Sequence, residues 1–397
     1  MVALLVWLGF SLAIVLLLIV SRRDLALGMA IAAAVLAAFT LSWGEVGGAL
    51  LRTFSDPSVL LLALVVGLIP LIGGVMEASG EMERLVANLR IGVRPFLASA
   101  PALLGMLPMP GGALLSAPLI ERGAGHVPTD VKAAANVWFR HVLLIVYPLG
   151  SALIASSKIA GLEVYAVIPA LIPAFLVSVA AGWLFLLRKV GGTLAQRGAF
   201  SLGGLLVPLG IILSAPATDL ALKRAIALPV AEIGTAVGVF TSLMLAMLVG
   251  RTRFGDLRRV FAKMRPWKYA LIVLAMFVFL NVFTESGVPE QIAAMTLPPL
   301  ILCVAIGFAL GLITGRIQAP MSIIVPIYVS TYRAMTPAVF AVTFFAVFLG
   351  YVLTPIHPCV SVSLEYFGSS MGPFLRRMIG PAAVGVGATV LAGLFLL

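Results

Sequence analysis

Apolar residues run along this chain in blocks separated by short polar or charged joints. A helix needs about 20 apolar residues to cross a bilayer. Ten blocks satisfy this and predict membrane-spanning helices, roughly at residues 3 to 20, 25 to 43, 57 to 78, 132 to 157, 163 to 187, 200 to 217, 226 to 249, 267 to 284, 337 to 364 and 374 to 396. Two further blocks are interrupted at their centres, 96 to 120 by PMPGG and 297 to 330 by TGRIQAP. Each predicts either one crossing or a re-entrant hairpin whose arms of about 12 residues reach about 18 Å, near the bilayer midplane.

The basic residues decide between these two readings. Lys and Arg collect in short cytoplasmic loops. Of the 26 in the chain, Arg140 and Arg316 lie inside apolar blocks, and 24 remain to be counted. With two hairpins they divide 19 to 5 between the sides; with two crossings they divide 14 to 10. The hairpins are therefore expected, with both termini outside a cell's inner membrane.

Composition agrees: 62% hydrophobic and 10% charged residues exclude a water-soluble domain. The net charge of +11 sits in the joints, where it orients helices rather than binding nucleic acid. Cys303 and Cys359, the only cysteines, both lie in apolar blocks, so neither a disulfide framework nor a cysteine-based metal site is expected. No basic residue precedes the first block and Arg22-Arg23 follow it, the reverse of a cleavable signal peptide.

The second half of the chain echoes the first. EASGEMERL (77 to 85) answers TESGVPEQI (284 to 292), and YPLGSALIASSKIAG (147 to 161) answers TPIHPCVSVSLEYFG (354 to 368), both at 286 − 79 = 355 − 148 = 207 residues. LLSAPLI and SIIVPIY correspond within one residue of that offset. The expected architecture is an all-α polytopic membrane protein of two inverted repeats, 1–197 and 198–397, each with five transmembrane helices plus one re-entrant hairpin. A broken helix falls in each repeat, at 132–157 and 337–364, and the hairpins at 96–120 and 297–330. Five crossings per half are odd, so the second half lies inverted, an arrangement characteristic of secondary transporters.

In LPMPGGALLSAP, GLITGRIQAPMSIIVPI and FLGYVLTPIHPCVSVSLEYF the chain resembles domain-of-unknown-function family 401, within the ion transporter superfamily. The resemblance extends over essentially the whole chain. It implies two opposed hairpins, two broken helices and a homodimeric scaffold around transport domains that move as elevators. The dicarboxylate carriers of that superfamily have Ser-Asn-Thr at both hairpin tips, where this chain has MPGG and GRIQ.

Pro148, Pro355 and Pro358 cannot donate backbone hydrogen bonds and clash with the carbonyls four residues earlier, which leaves Leu144, Tyr351 and Thr354 without helical partners. Bare backbone in hydrocarbon costs several kcal/mol per group unless protein, water or a substrate replaces the bond. New helix N-termini are expected after Gly112, Pro148, Ala319 and Pro358, and their dipoles favour an anion.

The candidate substrate-binding residues are Pro110, Gly111, Gly112, Ser116, Arg140, His141, Tyr147, Ser151, Thr314, Gly315, Arg316, Gln318, Ser322, Thr354, His357, Ser361 and Ser363. Arg316 leads them, because a deep cation is expensive without a partner or a ligand; Glu232 or a cluster of carbonyls is the structural alternative. Arg140 either faces the site or snorkels to the cytoplasmic edge. His357, His141 and Glu232 are candidates for proton or cation coupling, against a carbonyl-bonded histidine and a capped helix end. The expected function is a proton- or sodium-driven carrier of a small organic anion, with an exporter of the same architecture or a channel as alternatives. No histidine pair sits at metal-binding spacing on one helix, no Ser/His/Asp trio is evident and no Gly-Lys-Ser/Thr loop occurs. An enzyme, a resident metal or cofactor and an ATP-driven pump are accordingly not expected.

Overall fold

The structure, a computed structural model, describes residues 2–107, 112–194, 200–295 and 297–397, and the regular structure among these is all helical, with no strand. In the first half the chain forms α1 (Val2–Val20), α2 (Leu25–Thr40), α3 (Trp43–Ser55), α4 (Pro57–Ala78), α5 (Glu81–Ala87), α6 (Val93–Gly105), α7 (Gly112–Ala124), α8 (Thr129–Val142), α9 (Ser151–Ile159) and α10 (Val164–Gly182). The second half repeats the order with α11 (Leu202–Ala225), α12 (Glu232–Val249), α13 (Phe254–Met264), α14 (Pro266–Glu285), α15 (Val288–Ala293), α16 (Gly307–Thr314), α17 (Gln318–Tyr332), α18 (Pro337–Leu353), α19 (Pro358–Phe367) and α20 (Met371–Leu396). Helix starts recur at one spacing: 232 − 25 = 358 − 151 = 371 − 164 = 207.

Among the described residues seven helical segments are long and apolar enough to cross a membrane, Pro57–Ala78, Val164–Leu187, Leu202–Ala225, Glu232–Val249, Pro266–Glu285, Pro337–Phe367 and Met371–Leu396, with α1 and α2 apolar but shorter. This is a multi-pass membrane protein. Both interrupted blocks fold as two helices packed on each other, α6 on α7 and α16 on α17. Arms of 13 residues in α6 and α7 are about 20 Å long, short of a hydrocarbon core of about 30 Å.

Four helices were not foreseen. α3 and α13 occupy joints that lack a long apolar run. α3 is amphipathic, opened by a capping box between Ser42 and Glu45, and it exposes Trp43 (92%), Leu50, Leu51 and Phe54. Such a face suits the boundary between headgroups and acyl chains. α5 and α15 are short helices of 7 and 6 residues after the corresponding spans α4 and α14, each entered through a left-handed glycine, Gly80 (φ 77°) and Gly287 (φ 71°).

The helices sort into two packed groups. α1 to α4 pack with α11 to α14, while α6 to α10 pack with α16 to α20. Inside the second group the hairpins cross over: α7 packs on α19 and α17 on α9, so each hairpin's return arm meets the outgoing half of the other half's broken span. Close backbone approach holds the other arms. A Cβ at Gly105 would lie 2.1 Å from the Arg140 carbonyl oxygen, and one at Gly311 would lie 2.3 Å from that of Val347. Small residues at such crossings let helices pack at backbone distance in lipid.

Candidate functional site

Four interruptions bring four helix N-termini to one place. α7 starts at Gly112, α9 at Ser151, α17 at Gln318 and α19 at Pro358, and all four residues line a single cavity of about 300 Å³. Two of these starts differ from the sequence expectation. α9 begins three residues beyond Pro148, because the Gly150 N–H closes a turn onto the Tyr147 carbonyl (2.9 Å) first. α17 begins one residue before Ala319, where the tip turn ends. That turn needs Gly315, whose φ of 61° is left-handed and which lies against the backbone of His357. At the second break the expectation for Thr354 is corrected: its carbonyl is recovered by the His357 N–H (3.2 Å) and its hydroxyl accepts from the Ile356 N–H (3.3 Å). α9, α17 and α19 carry no side-chain cap, so their first-turn N–H groups need an acceptor from outside the helix.

The fixed charges of the cavity are all positive. Arg140, in the last turn of α8, is 4% exposed, which removes the snorkelling alternative. Its Nη1 has no hydrogen-bond partner among the described residues. The guanidinium occupies the space that a side chain at residue 112 would take, since a Cβ there would stand 2.0 Å from Nη2. Arg316, at the second hairpin's tip, also lines the cavity, and its Nε donates to the Ser21 carbonyl at 3.2 Å. Among the described residues no Asp or Glu lines this space.

Between the arginines stand two imidazoles. His141 Nδ1 lies 2.6 Å from the Val137 carbonyl, and His141 Nε2 lies 3.1 Å from His357 Nε2. A carbonyl only accepts, so with both rings neutral Nδ1–H of His141 donates to it, and His141 Nε2 accepts from His357 Nε2–H. This leaves His357 Nδ1 as a lone pair, buried and without a partner among the described residues. The Tyr351 ring packs on both imidazoles, with centroids 5.2 Å from His141 and 4.2 Å from His357. His141, His357 and Cys359 place their ligand atoms within 4.8 Å of one another, a donor set that zinc uses. The two Nε2 atoms already bond each other, however, and the Arg140 guanidinium stands beside the Cys359 thiol. A dication would also sit beside two arginines.

The family described as "Protein of unknown function (DUF401)" matches residues 2–396. The chain belongs to this family. No curated protein matches it. Among solved structures this DUF401 protein is similar to the YdaH transporter of Alcanivorax borkumensis, whose crystal structure is described as revealing an unusual topology. The TM-score is 0.58 at 17% identity, over 87% of this chain and 87% of that one. At this identity the likeness is one of fold.

Of the residues expected at the DUF401 site, Gly112, Arg140, His141, Ser151, Gly315, Arg316, Gln318 and His357 line the cavity. Pro110 and Gly111 lie outside the described residues. The others are placed around it. Thr314 shapes the hairpin tip, donating from its hydroxyl to the Leu310 and Arg316 carbonyls. Ser116 donates to Asn136 Oδ1 (2.6 Å), and Asn136 Nδ2 donates to the Ser363 hydroxyl (3.0 Å), which ties α7, α8 and α19 together. Ser322 donates to the Ala319 carbonyl, Ser361 to that of Pro355 and Tyr147 to that of Ile212. Glu232 stands apart from the cavity, paired at 2.9 Å with Lys158 rather than with Arg316.

Several lining residues were not foreseen: Tyr269, Phe344, Phe348, Tyr351 and Cys359. Tyr351 lies just before the TPIHPC break and Cys359 is its last residue, and both could have been included on that ground. Tyr269 sits on α14, more than 40 residues from any hairpin or break residue that it faces, and no local pattern marks it. The same holds for Asn136, a polar residue whose partners come from two other helices.

Proposed function

We propose that this protein is a secondary carrier of a small organic anion of carboxylate type. The observation that carries this reading is the convergence of four half-helix N-termini with the buried guanidinium of Arg140, whose Nη1 has no partner among the described residues, in a cavity with no carboxylate among them. Each N-terminus offers about half a positive charge, and α9, α17 and α19 add first-turn N–H groups without side-chain caps, fewest in α19 where Pro358 has none and the Val360 N–H bonds the His357 carbonyl; a carboxylate can satisfy these together with the fork of an arginine. The fold shared with the YdaH transporter supports transport over a channel. In this reading residues 1–197 and 198–397 are inverted repeats in the inner membrane, with both termini outside. α1 to α4 and α11 to α14 build the stationary scaffold of a homodimer, and the hairpin group slides against it as an elevator. The Arg316–Ser21 bond and the Lys158–Glu232 pair both join the two groups, so both must break when it moves.

The histidine pair makes the proton the favoured coupling ion over sodium. A proton arriving at His357 Nδ1 turns a bare lone pair into a donor, and an anion in the cavity stabilises the charge it brings. Sodium would find carbonyls but no carboxylate. The test uses proteoliposomes and a panel of organic acids preselected by ligand-induced thermal stabilisation, since a ligand of the folded state raises apparent stability. Uptake is expected to follow an imposed pH gradient, and His357→Gln is expected to lose that dependence while still binding the anion. Uptake that needs sodium and ignores the pH gradient overturns the proton assignment; no stabilisation by any anion overturns the carrier reading.

Topology is tested separately. In a variant lacking Cys303 and Cys359, single cysteines at Arg258 and Ser369 are expected to react only with cytoplasmic reagents, and one at Thr331 only with external ones. Cytoplasmic reaction at Thr331 removes the inverted-hairpin arrangement.

A further inference from the structure

Beside the cavity lies a second, larger chamber of about 570 Å³ with a basic lining. Arg23 from the α1–α2 turn meets Arg265 and Lys268 from the α13–α14 corner there. Among the described residues none of these three forms an ion pair, whereas Lys263, also at its wall, is held by both oxygens of Glu77 at 2.8 Å. Among the described residues the only acidic one in the lining is Asp24, whose carboxylate is engaged in capping α2 through the Leu27 N–H. Two residues line both spaces, Tyr269 and Arg316. Tyr269 and Arg316 thus form the wall that chamber and cavity share, and the Arg316 Nε donates to the buried Ser21 carbonyl.

A basic joint beside a membrane is ordinarily explained by helix orientation, and most such joints in this chain need no more. This one differs in two respects. Its cations surround a concavity, and that concavity shares its inner wall with the anion cavity. Clefts lined by one sign of charge with low-dielectric walls concentrate the opposite ion.

We propose that the chamber lined by Arg23, Arg265 and Lys268 is a second anion-binding site, where the carried anion docks before Arg316 and Tyr269 pass it to or from the deep cavity. This rests on the carrier reading for the identity of the anion but not for the existence of the site. Arg316 serves both spaces: an anion in the chamber offers it a charged acceptor in place of the neutral Ser21 carbonyl, and charge-assisted bonds are about twice as strong as neutral ones. Docking would therefore loosen the one bond shown between this hairpin tip and the α1–α2 turn. The same chemistry would suit the headgroup of an anionic lipid, and the experiment separates the two sources.

The probe is pyridoxal 5′-phosphate, an anion that forms an imine with lysine and is fixed by borohydride for mapping by mass spectrometry. Full-length protein is placed in nanodiscs of neutral phosphatidylcholine, and modification of Lys268 is compared with that of Lys189, an exposed lysine outside the chamber. Lys268 is expected to react at least about fivefold faster, a modest effect for a focusing cleft. Malonate should suppress the excess, and Arg23→Gln combined with Arg265→Gln should bring Lys268 to the rate of Lys189. Arg140→Met, which removes the charge of the deep cavity, should leave the Lys268 rate unchanged, so failure of the deep site and failure of the chamber are read independently. Equal rates at Lys268 and Lys189, or a fast Lys268 indifferent to the two arginines, overturns the proposal. Protection of Lys268 by phosphatidylglycerol in the nanodisc but not by malonate makes the site a lipid site and also overturns it.

Discussion

Arg140→Met is expected to abolish anion binding while leaving the empty protein at least as stable as the parent. The combination is unusual and follows from where the guanidinium sits. It is almost fully buried, its Nη1 has no partner among the described residues, and no carboxylate shares its cavity. An uncompensated buried charge costs several kcal/mol, and replacing it with an apolar side chain of similar length removes that cost. With an anion bound, the same charge is paired and its loss costs about 3 to 5 kcal/mol, a factor of more than about 100 in affinity. The measurement is the melting temperature of parent and variant with and without the best anion from the panel: the ligand-induced rise should vanish and the ligand-free value should hold or increase. Arg140→Lys should fall between, because an ammonium keeps the charge but loses the planar fork. Normal anion binding in a destabilised Arg140→Met would make this arginine structural and sink the site. Arg316 is expected to matter less to affinity, since it already has the Ser21 carbonyl and faces two spaces rather than one.

The largest effect on stability is expected from a single methyl group at Gly350. A Cβ there would stand 2.1 Å from the Phe308 carbonyl oxygen and 2.7 Å from the Leu312 amide nitrogen, both backbone atoms of α16. A side chain could rotate away; a helix backbone cannot without moving the whole first arm of the second hairpin. Overpacking in a rigid core costs about 1 to 3 kcal/mol and sometimes more, and here the displaced element carries Gly315 and Arg316 at its end. Gly350→Ala is therefore expected to lower the melting temperature, reduce the yield of monodisperse protein and weaken anion binding together. Gly387→Ala on exposed α20 is the control, because nothing lies within 4 Å of its Cβ position and alanine is the better helix former. If Gly350→Ala behaves like Gly387→Ala, then α16 does not cross α18 at backbone distance.

What could be read from the chain alone was whatever has a local period or a local breaker. Blocks of about 20 apolar residues name the spans, and prolines such as Pro148 and Pro358 name the breaks because one residue removes one donor. The asymmetry of Lys and Arg separates hairpins from crossings through a rule that acts on loops one at a time. Eight of the proposed site residues, Gly112, Arg140, His141, Ser151, Gly315, Arg316, Gln318 and His357, were identifiable because each lies at or near a break or a tip, or is a charge in an apolar run.

Tertiary structure decided the pairings. That Glu232 holds Lys158 and not Arg316, that Arg140 is the arginine whose Nη1 lacks a partner among the described residues, and that His141 and His357 touch across 216 positions of sequence all depend on which helices become neighbours. So does Tyr269, which reaches the cavity from α14, a helix with neither a break nor a buried charge to mark it. The physical reason is that in a bilayer an apolar face is satisfied by lipid as well as by protein. Hydrophobic pattern therefore dictates that a helix crosses and says little about which face meets which neighbour. Backbone contacts at glycines such as Gly105, Gly311 and Gly350, together with a few polar bonds, make that choice, and they exist only once the chain is packed.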